Sequence, residues 1–306
     1  MGCDVSDITV ATFYRFTPLE RVAELRARAE RLGRDCGLLG TVLLAAEGIN
    51  ATISGERAAL DRWQQGLQDL HPGFAGIEFR YSQAPGHPFR RWRVKARKEI
   101  VTLGAEVSDP GQLTGEHVDA KQWNALIQRD DVRLVDTRNH YEVELGRFAG
   151  AEDPLTDSFR EFPQWVAQHL DPQRDRHVAM YCTGGIRCEK ASAYLLEQGF
   201  ENVYQLQGGI LEYLRNTPAD ASLWQGECFI FDDRVALDDA LQPSGRQVCC
   251  SCRKPMDELK EGDEPICPDC LSSLNDSQLA GVRERIRQVR LAAARGRQHL
   301  APPQRS

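Results

Sequence analysis

The sequence predicts an α/β protein built from two compact domains and a small cysteine-rich end. Three observations predict it. The first hundred residues alternate strand and helix patterns in the order β-α-β-β-α-β. Farther on, a strand pattern runs straight into the loop Cys182-Thr183-Gly184-Gly185-Ile186-Arg187 and then into a helix pattern. Near the end, two Cys-x2-Cys pairs stand with fourteen residues between them. With 306 residues, 41% hydrophobic and 27% charged, the chain has material for two or three buried cores.

Taken in order, Ile8 to Phe16 alternates β-branched and aromatic residues and reads as a strand. Leu19 to Gly37 has helical period, Gly40 to Glu47 is a buried strand, and a turn at Gly48 leads to a strand over Ala51 to Ile53. A second helix is expected over Arg57 to Leu70, a strand over Ile77 to Ser82, and a closing segment over Phe89 to Val101. This order resembles the ferredoxin-like, or acylphosphatase-like, split βαβ fold and places a first domain over residues 1–104.

In the closing segment, Trp92, Val94 and Ala96 share one strand face, and Arg91, Arg93, Lys95 and Arg97 share the other. Four cations on one face suit a phosphate backbone and are candidate RNA contacts; they equally suit an edge strand that uses charge against aggregation.

Residues 105–128 form a polar connector and a short helix, which Asp119 opens as N-cap with Gln122 at the third position. His117-Val118-Asp119 also spells an iron-type H-x-D, but no second histidine is placed to complete a triad, so capping is the reading taken. The second domain spans 129–220. Its strands are Val132 to Val135, His177 to Tyr181 and Asn202 to Tyr204; its helices are Glu189 to Gln198 and Leu211 to Asn216. Strand, loop, helix, strand predicts a parallel sheet with the site at the carboxyl ends of its strands.

The loop suits a sulfur anion. Gly184 and Gly185 allow a tight curve at a helix N-terminus, with backbone N–H groups turned inward. The helix dipole and Arg187 favour negative charge on Cys182, which predicts a depressed pKa and a nucleophilic thiolate or persulfide. Cys188 has two readings, a resolving thiol for oxidised Cys182 and simple packing in the first helical turn.

In residues 221–306, Cys249, Cys252, Cys267 and Cys270 have spacing that fits tetrahedral zinc of structural type. A redox dithiol relay and plain structural cysteines are the competing readings. The tail is basic: from Gly281 to Ser306 seven arginines face one acid, a segment of +6 on a chain of −7. Its helix, Leu279 to Arg295, carries an apolar stripe (Val282, Ile286, Val289) and a basic one (Arg283, Arg287, Arg290), fit for RNA or partner contact or for plain solvation.

No apolar run approaches the roughly 20 residues of a membrane span, and the N-terminus has no secretory pattern. Gly2 with Ser6 is a weak myristoylation match. A cytoplasmic protein with free thiols is expected.

Asp136-x-Arg138, Tyr141-Glu142, Gly146-x-Phe148-x-Gly150-Ala151, the Cys182–Arg187 loop and Gly208-Gly209-Ile210 together resemble a rhodanese domain, with Asp136, Arg138 and Glu142 as structural ties. The flanks extend the likeness. Ala46-Glu47-Gly48-Ile49-Asn50, Val94-Lys95-x-Arg97-x-Glu99-Ile100-Val101, Met180 to Cys188, and Gly226-x-Cys228-Phe229-x-Phe231-Asp232-x-Arg234-Val235 are similar to the bacterial rhodanese-containing tRNA uridine(34) hydroxylases. The resemblance implies oxygen-dependent formation of 5-hydroxyuridine, with Cys182 as the essential cysteine, the tRNA anticodon region as partner and molecular oxygen as co-substrate. No flavin, haem or iron motif is visible, so no cofactor for the oxidation is evident. The alternative activity is persulfide sulfur transfer from thiosulfate or a desulfurase to an acceptor such as tRNA. A partner-binding module without catalysis fits least, since Cys182 and Arg187 are both intact.

Overall fold

A computed structural model describes residues 8–257, 259 and 262–295. Gly2, Cys3, Ser6, Arg297 and Arg305 lie outside the described residues.

The first domain comprises β1 (Ile8–Phe16), α1 (Val22–Asp35), β2 (Leu39–Ala45), β3 (Gly48–Gly55), α2 (Arg57–Gln68), β4 (Arg80–Ala84) and β5 (Trp92–Ala96). The strands form one sheet in the order β4-β1-β3-β2-β5, antiparallel except for the β2–β5 pair. Alternation sorts its two faces. Phe13, Val42, Leu44, Ala51 and Ile53 join Leu25, Leu60 and Trp63 in the buried core. Thr12, Thr41, Leu43, Asn50 and Thr52 face the other way and line a cavity.

The strand expected over Ile77 to Ser82 runs instead over Arg80–Ala84. Among the described strands it pairs only with β1, from Thr12–Arg80 to Ile8–Ala84, so the start of β1 sets its reach. Ile77 is used earlier, as a core residue. The edge strand β5 carries the cation row, and Trp92 ties it to α1 through Nε1–H to the Glu30 carbonyl at 3.0 Å.

The second domain contains β6 (Glu116–Val118), α3 (Ala120–Leu126), β7 (Val132–Asp136), α4 (His140–Val143), β8 (Gly146–Phe148), α5 (Phe162–His169), β9 (His177–Tyr181), α6 (Ile186–Glu197), β10 (Asn202–Leu206) and α7 (Gly209–Asn216). Its sheet has the order β6-β10-β9-β7, parallel throughout, with apolar clusters on both faces. The domain therefore begins before residue 129: β6 lies within the expected connector, and three residues are too few to show a period. Asp119 caps α3 as expected, its Oδ1 accepting the Gln122 N–H at 2.8 Å.

The rest comprises the antiparallel partner of β8, β11 (Trp224–Gly226), a pair β12 (Cys228–Phe229) and β13 (Ala236–Leu237), a pair β14 (Gln247–Val248) and β15 (Pro255–Met256), then α8 (Pro268–Ser273) and α9 (Asp276–Ala294). No helix among the described residues is long and apolar enough to cross a membrane.

Candidate active site

β9 delivers Cys182 to the carboxyl end of the parallel sheet, and α6 begins within the same loop, so Arg187 and Cys188 sit in its first turn. Helix therefore starts three residues earlier than the expected Glu189. Gly185, at φ 95°, is the turning residue; its N–H donates to Cys182 Sγ at 3.1 Å. Burial works to raise the Cys182 pKa. The donating Cys188 thiol, the Arg187 charge and the backbone N–H groups of Cys188 and Arg187 outweigh it and hold Cys182 at about 6. Cys188, buried and acting as the donor, is pushed up instead. The Arg187 charge and the Gly185 N–H thus favour the anion at Cys182, and burial disfavours it at Cys188.

Arg187 is not aimed at the sulfur alone. Its Nη1 and Nη2 grip Glu142 at 2.7 and 2.8 Å, and both side chains are buried. Burial disfavours the guanidinium charge, but Glu142 more than restores it. Arg187 therefore acts as one half of a neutral pair that still lowers the Cys182 pKa. Asp136 and Arg138 are ties, as expected: Arg138 is fully buried, paired with Asp136 and donating to the Gly146 carbonyl at 2.6 Å. A second brace comes from α7. Ile210 N–H donates to the Cys182 carbonyl at 3.0 Å and Leu211 N–H to that of Thr183 at 3.1 Å. A Cβ on Gly209, which has φ 68°, would lie 2.4 Å from the Cys182 carbonyl oxygen.

Cys182 borders a cavity of about 550 Å³ with walls from three parts of the chain. The first domain gives the Thr12, Asn50 and Thr52 face and Arg80; the second gives the loop, Asn139 and Arg215. The segment between β12 and β13 gives Phe231 and Arg234. Phe231 is 62% exposed, edge-on to Phe229, with the Arg187 guanidinium 5.8 Å from its ring centre. Arg80 donates to the Gly184 carbonyl at 3.0 Å, and Tyr14 Oη to Glu189 at 2.9 Å, so β1 and β4 are fastened to the loop and α6. Residue spacing revealed neither the cavity nor Arg80. Phe231 was visible only as part of a motif.

The other expected residues lie elsewhere. Arg91, Arg93, Lys95 and Arg97 run along or beside β5, and none lines the cavity. On α9, Arg283 pairs with Glu264 and Arg287 with Glu284, while Arg285 and Arg290 donate to the carbonyls of Cys250 and Asp263. Much of the basic stripe is thus held by its own surroundings.

Cys249, Cys252, Cys267 and Cys270 converge, with all four sulfurs within 4.8 Å of one another. Zn–S bonds of 2.3 Å in a tetrahedron would set sulfurs roughly 3.8 Å apart, and Cys252 and Cys267 stand at 3.6 Å. The N–H groups of Ser251 and Cys267 donate to Cys249 Sγ at 3.4 and 3.3 Å, a pattern that suits a thiolate ligand. The donor set fits a metal such as zinc. Among the described residues no other group of His, Cys, Asp and Glu side chains is so gathered, which leaves His117 to its pairing with Glu189 at 3.0 Å.

Two family models match this architecture. Residues 119–216 match the rhodanese-like domain, and residues 8–100 match the domain described as UPF0176 acylphosphatase like. The fold is therefore an acylphosphatase-like domain followed by a rhodanese domain, and the latter, with its loop cysteine in place, supports a sulfur-transfer or other cysteine-based catalytic role. More particularly, the pairing fits the UPF0176 family.

Similar solved structures include a protein of unknown function from Rhodopseudomonas palustris, described as a possible tyrosine phosphatase (24% identity, 34% of this chain and 83% of that one, TM-score 0.29). Another is the rhodanese-like domain of an Anabaena protein (20% identity, 37% and 80%, TM-score 0.30). A third is an acylphosphatase from Coxiella burnetii (14% identity, 31% and 100%, TM-score 0.24).

Proposed function

We propose that the protein hydroxylates C5 of uridine 34 in tRNA, in an oxygen-dependent reaction that uses Cys182 as nucleophile. The observation that carries the reading is the cavity: Cys182 borders a chamber of about 550 Å³ whose walls also offer an exposed aromatic ring, threonine and asparagine side chains, and arginines. Such a chamber suits a splayed-out base, stacked on an aromatic side chain and hydrogen-bonded at its edge. Transfer of a single sulfur atom needs no such enclosure.

The chemistry follows from the thiolate. Its addition to C6 of uracil places an electron pair at C5, delocalised into the C4 carbonyl. C5 takes up dioxygen as a hydroperoxide after protonation. A pair of external thiols cleaves the O–O bond, giving the C5 hydroxyl, water and a disulfide. Loss of the C5 proton then expels Cys182 and restores the C5–C6 double bond. The donors that lower the Cys182 pKa stabilise it both as the attacking thiolate and as the leaving group.

Nucleoside mass spectrometry of tRNA from a gene-deletion strain, complemented with wild type or Cys182→Ala, tests the reading. Wild type is expected to restore 5-hydroxyuridine and Cys182→Ala is not; restoration by the mutant would overturn it. Sulfur transfer is the second reading, favoured by the Gly185 N–H at the sulfur, which serves a persulfide equally well. Thiosulfate-to-cyanide transfer by the purified protein, with 5-hydroxyuridine unchanged on deletion, would select it.

We also infer that the four clustered cysteines hold a structural zinc, which would fix α8 and the apolar side of α9 around Val282 and Ile286. Purified protein is expected to contain equimolar zinc. Chelation should remove hydrogen-exchange protection from α8 and α9 before it affects α6. Metal-free protein with full protection would refute the inference.

A further inference from the structure

Beside the Cys182 cavity lies a second, larger depression of about 970 Å³, between α2 and β4 of the first domain and α3 and α7 of the second. The two share Arg80, Tyr81, Gly208 and Arg215 as wall residues. The two depressions therefore adjoin along Arg80. The function proposed above gives this second depression no role.

Its chemistry is specific. Arg80 gives one N–H, on Nη1, to the Gly184 carbonyl, and its Nε and Nη2 have no hydrogen-bond partner among the described residues. Lys121, exposed at the start of α3, has neither a hydrogen bond nor an ion pair among the described residues. Arg57 lies over the Tyr81 ring with its guanidinium 3.9 Å from the centroid, and it pairs with Asp61. Of the acids in the walls, Asp119 is engaged in capping α3, and Glu212 is bound to Arg215 and Asn216. Glu78 is the remaining one. Two cations without a carboxylate partner among the described residues, one of them (Arg80) also tied to the Gly184 carbonyl and the Tyr14 ring, stand beside an aromatic–guanidinium pair. Together they match the needs of a single RNA strand, which offers a phosphodiester for the cations and a base for the ring. An acidic peptide would use the cations and leave the ring idle.

We propose that this depression is a subsite for the ribonucleotide adjoining the target uridine in a single-stranded RNA loop. The linking phosphodiester lies against Arg80 and Lys121, and the neighbouring base lies beside the Tyr81–Arg57 pair. The inference rests on the reading of the protein as a tRNA-modifying enzyme and adds where the strand runs beyond the reactive base.

The test uses the full chain and a fluorescent anticodon stem–loop RNA, with anisotropy measured over a salt series for wild type, Lys121→Ala and Arg57→Ala. Lys121→Ala is expected to weaken binding several-fold and to reduce the slope of log Kd against log salt by about 0.7, the value for one lost phosphate contact on a single strand. Arg57→Ala should weaken binding to this RNA but not to one made abasic on both sides of the uridine. Thermal midpoints near that of wild type show that both variants fold. If wild type binds and hydroxylates the RNA while both variants keep its affinity and salt slope, the subsite is refuted and the enzyme reading stands. If wild type neither binds nor hydroxylates the RNA, the enzyme reading itself fails. Equal competition by a poly-glutamate peptide would also refute an RNA subsite.

Discussion

Cys182 and Glu142 act on the same charge from opposite sides. The thiolate is favoured by Arg187, and Arg187 is balanced by Glu142. With a pKa of about 6, Cys182 is largely ionised at neutral pH, so its alkylation by iodoacetamide should rise with pH and level off above a midpoint near 6. A midpoint near the ordinary value of about 8.5 would contradict the cradle. Removing Glu142 tests the balance further. Glu142→Gln leaves Arg187 buried without a counter-charge and should cost about 3–5 kcal/mol in denaturant unfolding. In whatever fraction stays folded, the alkylation midpoint should fall below that of wild type, because the uncompensated cation draws the thiolate more strongly. A stable Glu142→Gln protein with an unchanged midpoint would show that the pair neither holds the loop nor tunes the sulfur.

The loop is one element assembled from two distant turns, since Gly208 and Gly209 open α7 against the carbonyl side of the cysteine loop. Gly209→Ala would bring a Cβ to 2.4 Å from the Cys182 carbonyl at a positive φ. Strain of roughly 1–2 kcal/mol would be relieved by moving the loop. The expected outcome is a protein that retains most of its stability but has lost the low Cys182 midpoint; an unchanged midpoint near 6 would mean that α7 does not position the loop. At this scale the sequence was most legible. β1 runs over Ile8–Phe16 and β9 over His177–Tyr181, as alternation and apolar run length predict. The cysteine loop was readable because its glycines, cysteine and arginine are contiguous. What spacing hides is a pairing such as Glu142–Arg187, in which the two partners are 45 residues apart, or a strand as short as β6, which is defined only by its bonding to β10.

At the scale of the whole molecule, the cavity exists only while the two domains stay in register. Lys190, just beyond the loop on α6, has a side chain only 2% exposed, and its Nζ binds Glu47 at 2.7 Å and Glu99 at 2.6 Å. Those carboxylates in turn accept the N–H groups of Ile100 at 2.6 Å and Leu103 at 3.0 Å. One ammonium thereby fastens the first domain and the strap that follows it to the helix that begins in the cysteine loop. Lys190→Met would retain much of the apolar stem and remove the charge. Because both carboxylates keep some contact with water, the loss should be about 3 kcal/mol, at the low end for a broken buried pair. Hydrogen-exchange protection at Ile100 and Leu103 should fall while that of β9 and β10 persists, and Cys182 should be alkylated faster as the wall opens. Acid supplies an independent check. Burial acts to raise the Glu99 pKa, but the Lys190 bond and charge and the N–H donors bring it below its ordinary 4.5. A depressed carboxylate contributes stability above its unfolded pKa and loses it as pH falls through the folded value. Wild type should therefore loosen at Ile100 and Leu103 only below the ordinary carboxylate range. Lys190→Met should already be loose at neutral pH and gain little further exchange on acidification. Equal acid dependence in the two proteins would mean that the domains are held in register by something other than this ammonium.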